Sequence, residues 1–452
     1  MPASESAMLN TNSTTLTTSV DGGLSARTQP LLRVAGWVGL FLLALWAMSS
    51  WGQSTSVNND FTQNVWLPSR LVLNGADPYN PTTAQVTAAL GDHSSAFDGF
   101  NSGDNYFFIY PTWVAILFTP FAMLPLTVAL ALWRALNLLL LVWGVVHLLR
   151  VSNPSFRSGR AQAFAAVGLT VFLCLVYRET LLTLYLGQFS IIEFGILAAI
   201  WGYLVSDKHS VVRTALVGVG LAVLATKPQS VGLPVILLGL WAISRKRWAI
   251  PAWAVGSLAF LLLTPMLVFP SSLSGWLSRV VGGQAGSQMQ VSASVWGVSY
   301  HWLGDNLPWM VVAAVLTLVG LVALVPHWKR DLTDRVSPVP MSLALTIVIN
   351  SVISPYLLGY EHILLLFPAA LMLAAAGIPD EQAERGWKMW RVAIYVWMAA
   401  LPFVIVAVQV GLDSVEYPVM VQSVTMLALL YVARLRWGTK RETVFALAVS
   451  QA

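Results

Sequence analysis

Residues 111–150 read PTWVAILFTPFAMLPLTVALALWRALNLLLLVWGVVHLLR. In the second half, from Leu126 to Leu149, Arg134 is the only charged residue in a run dominated by Leu, Val, Ala and Trp. A hydrocarbon core about 30 Å thick takes roughly 20 helical residues to cross, and this run is longer. The first half is apolar too, but Pro111, Pro120 and Pro125 interrupt it. Proline removes a backbone donor and clashes with the preceding turn. The spacing therefore predicts a short embedded or re-entrant piece over 111–124 and one full crossing after it.

Working outward, comparable runs recur at 31–51, 161–177, 188–205, 211–225, 230–243, 249–268, 309–325, 339–356, 361–377, 392–411 and 417–433. With 126–149 they predict an all-α polytopic membrane protein of about twelve transmembrane helices (11 to 13). Composition agrees: 57% of residues are hydrophobic and 10% charged, where soluble domains carry about 25% charged residues. The 20 Trp suit membrane interfaces. The net charge of +5 is then no nucleic-acid signal. Cys174 is the sole cysteine, so no intramolecular disulfide can form.

Orientation follows from the cations. With the N-terminus inside, 20 of the 25 Lys and Arg fall in loops that must be cytoplasmic, as the positive-inside rule requires. Arg150, Arg157 and Arg160, the Arg245-Lys246-Arg247 triplet, and Lys329 and Arg330 are among them. Both termini are thus expected in the cytoplasm of a multi-pass plasma-membrane protein. Residues 1–28 read as a disordered cytoplasmic tail, 29–437 as one transmembrane domain, and 438–452 as a second cytoplasmic tail. Two long extracytoplasmic loops are expected at 52–110 and 270–308, with short ones near 178–187, 226–229, 357–360 and 412–416. In the first, FTQNVWLPSRLVLNG (61–75) reads as an amphipathic helix lying along the membrane surface.

Five cations break the inside pattern: Arg70, Arg134, Arg178, Lys227 and Arg279. A charge at or within the membrane calls for a partner or a function. Arg134, inside a span, is expected to meet a carboxylate or a polar cavity. Lys227, before Pro228, either snorkels to the headgroups or contacts a ligand phosphate. Among the acids, Asp60 is either a helix N-cap or a general base, and Glu193 is either one half of an ion pair within the bundle or a carboxylate held as a general base. Asp77, Asp92, Asp98 and Asp104 read as solvated turn residues. Glu361 and His362 stand together at the start of a span. No metal-ligand spacing, Gly-rich phosphate loop, DxD pair or serine elbow is present, which argues against zinc proteolysis and nucleotide hydrolysis.

The order of these features resembles glycosyltransferase family 87, membrane enzymes of the glycosyltransferase C superfamily. The resemblance rests on Asp60-Phe61 soon after the first span, then Leu71-Val-Leu-Asn-Gly75-Ala-Asp-Pro78-Tyr79-Asn-Pro81, then Tyr110-Pro111. It continues through Gly187-Gln188, Lys227-Pro228-Gln229 and Ser354-Pro355 with Tyr360-Glu361-His362. Ser190 and Glu361 depart from the family's usual Asn and Asp. The resemblance implies a glycosyltransferase C-type bundle that moves a hexose, mannose first, from a polyprenyl-phosphate donor to a lipid-linked or cell-envelope glycan. Transfer would be inverting, extracytoplasmic and free of cofactor or metal. It makes Asp60 the catalytic base and Arg70, Tyr79, Tyr110, Arg178, Gln188, Lys227, Gln229, Tyr360, Glu361 and His362 the substrate-binding set. The implied partners are membrane lipid, donor and acceptor glycan, with no nucleic acid. The rival reading is a transporter or flippase, whose essential charges should sit at the midplane among broken helices.

Overall fold

A proline at the head of an apolar run sets where the longest buried helix begins. Pro125 is extended, and the helix Leu126–Ser152 starts directly after it and runs for 27 residues. This is the computed structural model's central element. The structure describes residues 28–52, 59–91, 108–153, 156, 161–206, 209–279, 289–305, 307–333, 340–376, 384–411 and 416–433. Both expected tails and the acids Asp92, Asp98 and Asp104 lie outside these residues. The chain divides between Leu43 and Ala44 into two units, and the packing described below is within the second.

Every regular element described is helical. Four helices are by themselves long and apolar enough to cross a membrane: Leu126–Ser152, Ala249–Leu267, Leu307–Lys329 and Met389–Gln409. A bent pair, Phe164–Val176 and Arg178–Leu186, meets the same criterion with a 54° break, and seven apolar helices of 10–17 residues accompany them. Against the expected twelve crossings, therefore, four helices among the described residues reach the length alone. The Pro-interrupted stretch forms the helices Thr112–Leu117 and Thr119–Ala122, of six and four residues. At 1.5 Å per residue neither approaches the thickness of a bilayer.

Leu126–Ser152 packs along Ser190–Leu204 through small residues. A Cβ on Gly144 would lie 2.8 Å from the Phe194 ring, and one on Gly195 would lie 2.6 Å from Leu140. Such close approach is how helices associate where lipid removes the hydrophobic drive between them. Their contact buries Leu141, Val145, Phe194, Leu197 and Trp201 in the largest hydrophobic core.

The second core corrects two expectations. Residues 60–73 are helical, but Phe61, Val65, Trp66, Leu67 and Leu71 are all buried, so this segment is enclosed rather than spread on a surface. Its Phe61 ring lies 6.3 Å from Phe121 and 5.4 Å from Trp133 between centroids, and Phe118 and Phe189 pack on the same Trp133. The stretch 178–187, expected as a short loop, is the helix Arg178–Leu186. Where a carboxylate or a polar cavity was expected, Arg134 meets backbone carbonyls. Its Nε donates to the Leu184 carbonyl at 2.8 Å and a terminal nitrogen to that of Tyr185 at 2.7 Å. The cation thus sits on the negative end of that helix, where the last carbonyls lack partners.

Candidate active site

Four chain segments converge beside the second core, and each is placed by a local rule. Asn59 precedes the 60–73 helix, and its Oδ1 accepts the Thr62 N–H at 2.9 Å and the Thr62 hydroxyl at 3.1 Å. That is an N-cap. The capping role open to Asp60 in the sequence therefore belongs to its neighbour, and the Asp60 carboxylate is free to turn elsewhere. It accepts a hydrogen bond from Gln188 Nε2.

Gln188 is held in turn by a left-handed glycine. Gly187, at φ 72°, ends the helix Arg178–Leu186, and its carbonyl accepts from the Trp133 indole at 2.9 Å. A Cβ at this position would lie 2.5 Å from Phe61 Cβ, so residue 187 and the residue after Asp60 touch backbone to side chain. The Tyr110 hydroxyl donates to Gln188 Oε1 at 3.4 Å, and the Tyr110 carbonyl accepts from the Tyr79 hydroxyl at 2.6 Å. Tyr79, Tyr110, Gln188 and Asp60 thus form one hydrogen-bonded series. Burial pushes Asp60 above the usual carboxylate range; the Gln188 hydrogen bond and the Lys227 charge pull it back, and Glu361 adds to the rise.

The third segment brings Lys227, the residue just before the helix Pro228–Ser244. Its ammonium is buried and does not snorkel: Nζ lies 2.7 Å from Glu361 Oε1 and 4.0 Å from Glu193 Oε1. It also reaches Ser190 Oγ at 3.3 Å and stands 5.2 Å from the Tyr360 ring centre. The fourth segment, the tight helical turn Gly359–Leu365, supplies Tyr360, Glu361 and His362, all buried. Glu361 Oε1 accepts from Ser230 Oγ at 2.9 Å and Oε2 from the Leu358 N–H at 2.8 Å. Asn350 and Ser354, one helical turn apart, donate to the Gln229 carbonyl at 3.1 and 2.8 Å and lock the Lys227 turn in place.

Three carboxylates (Asp60, Glu193 and Glu361) therefore surround one ammonium. Such a group can accept a proton, hold hydroxyls and present a fixed positive charge. Of the expected site residues, Asp60, Tyr110, Gln188, Lys227, Tyr360 and Glu361 come together, and Tyr79 stands one hydrogen bond behind. Gln229 serves through its carbonyl. Two expected cations are engaged elsewhere. The Arg70 guanidinium lies 4.8 Å over the Trp66 ring. Arg178 bonds Glu179 at 3.1 Å and Gln409 at 3.0 Å, in a separate network that includes Gln422. Asp77, read as a solvated turn residue, accepts from the Tyr79 N–H at 2.8 Å and also from the Ser271 hydroxyl, so it ties two connecting segments together. Glu193 and Ser230 were not in the expected set. The signal for Ser230 was its place three residues after Lys227, on the same face of a helical turn.

A family model for glycosyltransferase family 87 matches residues 108–355, more than half of the chain. The chain belongs to glycosyltransferase family 87. No curated protein and no solved structure matches it. In this family 87 glycosyltransferase the matched region holds Gln188, Glu193, Lys227 and Ser354. Asp60 precedes it, and Tyr360, Glu361 and His362 follow it. Only the fold reunites the three parts.

Proposed function

We propose that this glycosyltransferase moves a hexose, mannose first, from a polyprenyl-phosphate donor to a lipid-linked or cell-envelope glycan on the extracytoplasmic side, with inversion. The observation that carries the reading is the Asp60 carboxylate, oriented by Gln188 and placed in the field of Lys227. Asp60 takes the proton of the acceptor hydroxyl as that oxygen bonds to the anomeric carbon. The bond from the anomeric carbon to the phosphate oxygen breaks on the opposite side, and its electron pair leaves with the phosphate.

Charge grows on that leaving oxygen, and a preorganised cation stabilises it most in a water-poor site. The cation in this reading is Lys227 rather than a metal ion. An ammonium has three N–H donors; Glu361 and Ser190 take two of them, which leaves one for the phosphate. The positive-inside count favours the extracytoplasmic placement, and membership of a glycosyltransferase family favours an enzyme over the transporter reading. Polyprenyl-phosphate mannose, glucose and galactose supplied to purified protein test the donor class. Asp60→Asn should slow transfer by roughly 10²–10⁴-fold, the usual worth of a general base, with its melting midpoint retained. Near-normal turnover in that variant removes Asp60 from the mechanism.

A further inference from the structure

Among the described residues of this site, Glu193 is an acid that no donor meets at hydrogen-bond distance. It is buried in the first turn of the helix Ser190–Leu204, and among the described residues neither carboxylate oxygen has a donor within 3.5 Å in hydrogen-bonding geometry. The donors nearest it are turned elsewhere: Ser230 bonds Glu361 at 2.9 Å, and Lys227 bonds Glu361 at 2.7 Å and Ser190 at 3.3 Å, its third N–H being the one left for the phosphate. Lys227 stands off from Glu193 at 4.0 Å, the outer limit of an ion pair. A buried carboxylate left in this condition opposes folding, so it marks a place where a ligand completes the bonding.

The ligand's identity follows from what must lie beside Lys227. Resting on the reading of Lys227 as the contact for the departing phosphate, the donor sugar's anomeric carbon sits next to that ammonium. That carbon has two ring neighbours. The ring oxygen carries no proton, whereas the C2 hydroxyl does and can donate to a carboxylate. We propose that Glu193 receives the C2 hydroxyl of the donor hexose and sets which C2 epimer the enzyme accepts. Mannose and glucose differ at that centre alone, so one fixed acceptor separates them by direction. Sites built to bond a substrate hydroxyl discriminate strongly, because analogues lacking it leave a buried polar group unpaired.

Equilibrium binding of four short-chain polyprenyl phosphates tests this: the mannosyl, glucosyl and 2-deoxymannosyl forms and the bare phosphate. Detergent-purified wild type is compared with Glu193→Gln and Glu193→Ala, each first checked by its melting curve. Wild type should prefer one C2 epimer and lose at least about tenfold in affinity for the 2-deoxy sugar. Glu193→Ala should bind the three sugars alike, whereas Glu193→Gln, whose amide oxygen still accepts, should keep part of the preference. Indifference of the wild type to C2, or an unchanged C2 preference in Glu193→Ala, overturns the proposal while leaving the donor class intact if the bare phosphate binds. Failure of all four ligands to bind overturns the donor reading and the role of Glu193 with it.

Discussion

Asp60 has to be ionised to act as a base, in surroundings that favour its neutral form. Burial raises its pKa above the usual value near 3.9, and the Gln188 hydrogen bond and the Lys227 charge limit the rise. Activity that needs the carboxylate is therefore lost as pH falls through that raised value, at a higher pH than for an exposed aspartate. Gln188→Leu removes a donor that favours the ionised form, so the acid limb of kcat/KM should move to higher pH. An acid limb that stays in place would show that Gln188 does not tune Asp60. Lys227 is a second residue whose neighbours decide its effect. Lys227→Met strands Glu361, whose carboxylate is 1% exposed, and should cost about 3–5 kcal/mol, as other broken buried pairs do. Adding Glu361→Gln should return part of that loss in denaturation experiments; a double variant no more stable than Lys227→Met alone would contradict the pairing.

At the scale of elements, the turn at Gly187 joins three helices. It ends Arg178–Leu186, precedes Ser190–Leu204 and touches Phe61 on the helix that carries Asp60. Gly187→Ala should cost about 1–2 kcal/mol for the left-handed backbone alone. The contact with Phe61 adds to this and displaces the base. Transfer should fall well beyond what the stability loss explains, with no catalytic group removed; unchanged kcat in a folded variant would argue against this coupling. Arg134 supports the same helix by closing the Leu184 and Tyr185 carbonyls. A cation inside an apolar run thus has a structural role here, in which it stabilises the element that positions Gln188.

For the whole molecule, burial separates the faces that pack from those that meet lipid. The apolar windows of Ala249–Leu267 and Leu307–Lys329 are only 11% and 17% buried within the chain. Apolar surface on that scale is not left in water, which agrees with a bilayer around these helices. Phe260, 67% exposed, and Phe194, fully buried, are the same residue type in the two settings. Phe260→Ala should change stability by no more than about 0.5 kcal/mol, whereas Phe194→Ala should cost about 3–5 kcal/mol because it opens a cavity where Leu126–Ser152 packs on Ser190–Leu204. Melting curves in one detergent compare the two directly; equal losses would place Phe260 inside a packed interface.

The helical membrane class, the Pro-broken stretch before Leu126 and the order of the family motifs were legible in the residues themselves. Run length, proline chemistry and motif spacing are local properties of a chain. Partners were not. Asn59 and Asp60 are both good caps on paper, and only the turn toward Gln188 assigned one to capping and the other to the site. Lys227 could have snorkelled until Glu361, 134 residues later in the chain, was found 2.7 Å away. Arg70 and Arg178 break the positive-inside pattern as Lys227 does but find Trp66 and Glu179 instead. A charge is visible in the sequence, but its neutralising group is chosen by which helices pack together, and that choice belongs to the tertiary structure.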